Sequence, residues 1–102
     1  MDPDLREKLL RASVEVPKRT VYREFPGETV ALNAETGRYF GLNPTAAQML
    51  VALEEAGTVA GALTVLAELF GRPAAEIEPD LLETCAVFEE RGLIVLVPDD
   101  GR

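Results

Sequence analysis

"ETGRYFGLNPTAAQML", residues 35–50, carries the chain from sheet to helix. Arg38-Tyr39-Phe40 is a short run of strand-forming side chains. Leu42 runs without a linker into Asn43-Pro44, a strong helix start. The asparagine can cap the first amides, and proline fits the first helical position, where its missing N–H leaves no bond unmade. The alanines that follow continue the helix. Upstream, Glu35-Thr36-Gly37 reads as a tight turn with Gly37 as its left-handed residue. A strand held between such a turn and a helix pairs on one edge with the strand before it. Its other edge is left free for a further strand.

Working outward, "RTVYREF" and "ETVALNA" are rich in strand formers and are separated by Pro26-Gly27, a turn signal. The pattern predicts an antiparallel meander over 20–25, 28–34 and 37–42, with Val30 and Leu32 on one face. Downstream, Ala46, Leu50 and Leu53 make one helical stripe that Gly57 closes. Thr58 caps a second helix with Val59, Leu63, Leu66 and Phe70 inward, and Gly71 ends it. A third helical region starts near Pro73. Pro79 is expected to divide it, since a mid-helix proline loses a hydrogen bond and clashes one turn back. Its main part, 79–91, turns Leu81, Cys85 and Phe88 inward and stops at Gly92. "LIVLV", 93–97, reads as a last short strand or an extended tail. Residues 2–12, with Leu5, Leu9 and Leu10 at helical spacing, read as a short helix or a loose arm. The expected division is an N-terminal arm over 1–19, one domain over 20–97 and a solvated tail over 98–102. The fold class is α+β: a winged helix-turn-helix, with a three-stranded antiparallel sheet followed by three helices.

Composition narrows the function. The chain has 102 residues, room for one small domain with its own core. It has no histidine, one cysteine (Cys85) and one serine (Ser13), so common bases, nucleophile pairs and metal ligands are missing. That argues against an enzyme and implies neither metal nor cofactor. A lone cysteine permits no internal disulfide and suits a reducing cytoplasm. No apolar run approaches the roughly 18 residues of a membrane span, and the N-terminus lacks the core of a secretory signal. Winged helices often read DNA, but the net charge is −8. The helix that would enter a groove carries Glu76, Glu78, Asp80, Glu83, Glu89 and Glu90 against Arg91 alone, and phosphates repel such a face.

"ETVALNAETGRYFGLNPTAAQML", together with an Asp80 followed twelve positions later by Gly92-Leu93-Ile94, resembles the PqqD-like domains, or RiPP recognition elements. The resemblance spans about residues 20–96 and is most specific over 35–43. It departs at "TVAG", where the family carries acidic residues after Thr-Val, and at Thr84 and Cys85, where bulkier apolar residues are common. What it implies is peptide recognition. The leader of a ribosomally made precursor peptide adds as a strand to the open edge of the third strand and lies against the third helix. A free-standing chain of this length looks most like the recognition half of a split lasso-peptide leader peptidase. That implies a separate cysteine-protease-type peptidase and, beyond it, a lasso cyclase as partners. The alternatives are a pyrroloquinoline quinone-type or other precursor chaperone, and a non-catalytic winged-helix dimerisation protein.

On that reading the backbone of Arg38, Tyr39, Phe40, Gly41 and Leu42 supplies the ladder for a guest strand, and side chains at alternate positions supply specificity. Tyr39, Phe40 and Leu42 are candidates for apolar walls. Gly41 keeps one spot shallow, so that a guest can approach closely. Across the groove, positions 80, 84, 87 and 91 share one helical stripe. Asp80, Thr84 and Val87 are the expected contacts, with Arg91 at the rim and Glu83 placed to attract a basic leader residue.

Overall fold

A computed structural model describes residues 2–99; the end of the expected tail, 100–102, and Met1 of the arm lie outside the described residues. The elements follow the punctuation of the sequence. Asp2 caps α1 (Pro3–Arg11), and a short β1 (Ser13–Glu15) comes next. Then come β2 (Thr20–Phe25), β3 (Glu28–Asn33) and β4 (Arg38–Leu42). Asn43 Oδ1 accepts the Ala46 N–H at 2.8 Å and opens α2 (Pro44–Ala56), which ends at a left-handed Gly57. Thr58 Oγ1 accepts the Gly61 N–H at 3.0 Å and opens α3 (Val59–Phe70). Next are α4 (Ala74–Glu90) and β5 (Val95–Val97).

β2, β3 and β4 form an antiparallel sheet in that order, with Ala31 opposite both Tyr22 and Phe40, and Leu32 opposite both Val21 and Tyr39. The winged arrangement is therefore as expected, with three helices after the meander. The buried face of β3 is Thr29, Ala31 and Asn33, so Val30 and Leu32 lie on the outer, half-buried face. Against the inner face the helices pack a core that includes Leu50, Leu53, Leu66, Leu81, Phe88, Leu93 and Ile94, all at most 1% exposed.

Two features depart from the sequence reading. Pro79 lies inside α4 and does not divide it. The proline forfeits one bond, to the carbonyl of Ala75 one turn back. Ala75 is exposed, so water can take that partner's place. The second departure is β1, which pairs antiparallel with β5, Val14 opposite Leu96. Three-residue strands carry too little alternation to be read from a pattern. Ala12 and Val14 join the core, and Leu9 and Leu10 of α1 pack against it. The Arg6 guanidinium also holds the Glu78 carboxylate of α4, with Nη2 donating to Oε1 at 2.9 Å.

Candidate functional site

The strand β5 pairs with β1 and not with the meander, so β4 has no strand on its far side among the described residues. Its alternation sorts the candidates. Leu42 is buried at 3% exposure and belongs to the core. Phe40 is half-buried and faces the helices. Tyr39 points the other way and is 72% exposed. The guanidiniums of Arg91 and Arg38 both lie over the Phe40 ring, 4.7 and 5.5 Å from its centroid. Phe40 is thus the aromatic that floors the space between β4 and α4.

A buried amide stands at the end of that space. Asn33 is 4% exposed and ends β3. Its Nδ2 donates to the Arg91 carbonyl at 3.1 Å, and its Oδ1 accepts the Glu35 N–H at 3.0 Å, so one side chain ties the β3–β4 turn to the end of α4. Arg19 Nε donates to the Gly92 carbonyl at 3.0 Å, and Thr20 Oγ1 to the Leu93 carbonyl at 2.8 Å. The chain leaving α4 is therefore pinned to the sheet at three successive carbonyls. These bonds, each worth about 0.5–1.5 kcal/mol net, anchor the chain after α4 to the start of β2 and the end of β3.

Along α4, Thr84 and Val87 are half-buried, while Asp80 and Glu83 are exposed. Asp80 borders a cavity of about 420 Å³ with Thr45, Met49, Phe70, Arg72, Glu76 and Ile77, and no residue of β4 lines it. A second, more apolar cavity of about 800 Å³ lies on the other side of α2, between the β2–β3 turn and α3. None of the expected site residues lines it. Tyr22 at its wall donates to Glu54 Oε1 at 2.7 Å; burial first, and this bond second, push its hydroxyl up to about 12. Cys85 sits in the core, 1% exposed, and burial, assisted by Glu89, pushes its thiol up to about 12. At neutral pH it holds its proton and is a packing residue, not a nucleophile.

The chain segment 28–94, from β3 to the residues after α4, matches the family described as coenzyme PQQ synthesis protein D (PqqD). The chain belongs to the PqqD family. Two solved structures share its fold. One is TbiB1 in complex with the TbiA(beta) leader peptide: TM-score 0.69, 20% identity, covering 86% of this chain and 96% of that one. The other is a lasso peptide synthetase B1 complexed with the leader peptide: TM-score 0.70, 20% identity, covering 82% and 99%. No curated protein matches the chain.

Within this PqqD-family fold, the expected site residues differ in exposure and contact. Phe40 meets Arg91 just past the end of α4, while on α4 itself Thr84 and Val87 are half-buried and Asp80 and Glu83 exposed. Arg38, Tyr39 and Gly41 lie at the bare edge, exposed. Leu42 offers only its backbone, because its side chain is committed to the core. Sequence reasoning missed Asn33, the residue that ties the β3–β4 turn to the end of α4. Asn33 carried a signal, an amide at the end of an apolar strand, but its partner lies 58 residues away.

Proposed function

We propose that this chain is a non-catalytic recognition module for the leader of a ribosomally made precursor peptide. The leader adds as a strand to β4 and lies against Thr84 and Val87 of α4. The module presents it to a separate cysteine-protease-type peptidase, with a lasso cyclase acting on the released product, in the cytoplasm. The observation that carries this reading is the bare edge of β4 facing α4. The C-terminal strand that could have covered it is used on β1. Backbone ladders supply affinity at such an edge, and the walls supply choice. Family membership supports the reading, as do the two B1 proteins of the same fold that were solved with leader peptides.

The test is a titration of the isotopically labelled chain with the leader of the precursor encoded beside it. Amide signals of 38–42 and 84–91 are expected to shift, while those of β2, at the other edge, stay put. Shifts that instead follow protein concentration without any peptide favour a dimer joined through β4 and overturn the proposal.

A further inference from the structure

The outer face of the sheet carries an arrangement that the groove does not use. Residues paired across neighbouring strands share a face. Val21, Leu32 and Tyr39 therefore form one outward row, and Arg23, Val30 and Gly41 the next. The first row is apolar and ends on the bare edge at Tyr39. The second ends there at a glycine. Gly41 does not serve a turn, since the positive-φ glycines are 27, 37, 57, 71 and 92. The place of its missing side chain is taken by a carboxylate: a Cβ at position 41 meets Glu28 Oε1 at 2.5 Å. Glu28 lies two residues before Val30 on the same face and reaches diagonally across the sheet to the open edge. Glu28 is exposed, and its carboxylate makes no hydrogen bond or ion pair with any described residue.

The geometry points to a cation subsite on the outer face of the edge, in which Glu28 takes a lysine or arginine of the guest strand that lies opposite Gly41, two residues before an apolar or aromatic guest residue opposite Tyr39. This rests on the strand-addition reading and deepens it. An added strand has two faces, and only one of them turns toward α4. Both existing pairings in the sheet are antiparallel. A guest that continues the pattern and sets residue n opposite Tyr39 sets n−2 opposite Gly41. Its outward side chain there starts about 4.5–5.5 Å from the glycine position, beside which the carboxylate lies. The apolar stem of a lysine or arginine lies over Gly41 while its charge meets Glu28. A guest carboxylate at n−2 is repelled. At position n, an apolar side chain extends the Val21–Leu32–Tyr39 row.

Selection from a displayed library of random 16-residue peptides tests this, whatever the sequence of the natural leader. On the native chain, the enriched peptides are expected to carry an aliphatic or aromatic residue at n. Lysine or arginine at n−2 is expected to rise about two- to fivefold over the starting library, the span of an exposed ion pair. Glu28→Gln is expected to abolish the basic preference and keep the apolar one. Gly41→Ala, whose methyl displaces the carboxylate, is expected to weaken it likewise. Circular dichroism confirms that both variants fold. Basic enrichment that survives Glu28→Gln, that is absent on the native chain, or that spreads over every position as general attraction to an acidic protein overturns the subsite and leaves strand addition standing. A selection that enriches no linear peptide overturns both.

Discussion

The guanidinium of Arg91 lies 4.7 Å from the centre of the Phe40 ring, so the end of α4 and the middle of β4 touch through a cation on an aromatic face. Contacts of this kind are worth about 0.5–1 kcal/mol at exposed sites. Arg91→Ala is expected to lower stability by that order in a denaturant titration. Arg91→Lys should restore only part of it, because a point charge stacks less well than a planar guanidinium. Loss of leader affinity larger than loss of stability would mark Arg91 as a contact residue as well as a brace.

Val87→Asp places a carboxylate at a half-buried position of α4. Leader affinity is expected to fall by at least about tenfold, since a charge buried without a partner costs more than about 1.4 kcal/mol. The helix should persist, because Val87 retains solvent contact. Calorimetric titration reads the affinity and circular dichroism reads the fold. Unchanged affinity removes Val87 from the site.

Asn33→Ala deletes the bond to the Arg91 carbonyl and the acceptor for the Glu35 amide. Both bonds are part-buried and both backbone partners belong to exposed residues that water reaches, so each is worth about 0.5–1.5 kcal/mol. Thermal unfolding is therefore expected to drop by about 4–8 °C per kcal/mol lost, given the size of the chain. Leader binding should weaken with it, as α4 is no longer pinned to the β3–β4 turn. A variant that loses neither would mean that Arg19 and Thr20 suffice to hold the chain after the helix.

The hydrogen bonds from Arg6 draw the Glu78 carboxyl below the usual carboxylate range, and Glu78 in turn raises the Arg6 guanidinium. A group whose pKa falls on folding stabilises the folded form once pH exceeds its unfolded value. It loses that contribution as pH drops through its folded value. Docking of α1 on α4 is thus expected to be constant near neutrality and to weaken on acidification through and below the carboxylate range. Hydrogen exchange of the α1 amides measures it. Glu78→Gln should flatten the pH dependence, and an unchanged profile in that variant would assign the docking to Leu9 and Leu10 alone.

Local chemistry made much of the fold readable. Pro26-Gly27, Gly37, Asn43-Pro44, Thr58 and Gly71 mark boundaries through backbone preferences that act within a few residues, and the elements begin and end there to within a residue or two. The pairing of β1 with β5 was not readable, because it joins three-residue strands from opposite ends of the chain. Pro79 was misread because it stands near the start of α4, where the one bond it forfeits frees the carbonyl of exposed Ala75 to water. The bare edge of β4 was legible from the abrupt helix start at Asn43. The division of labour on that edge was not, since it depends on which face each residue takes. Phe40 turns to α4, Tyr39 to solvent and Leu42 to the core. Asn33 bonds across 58 residues, a distance that no local pattern encodes.

Cys85 is the sole thiol of the chain, and the core seals it. A maleimide dye or a nitroxide added to the native fold therefore finds nothing to react with. Thr36→Cys, in the exposed turn before β4, gives a uniquely labelled protein with no need to remove the native sulfur. The packing that silences this sulfur thus makes the molecule a ready-made platform for watching a peptide arrive.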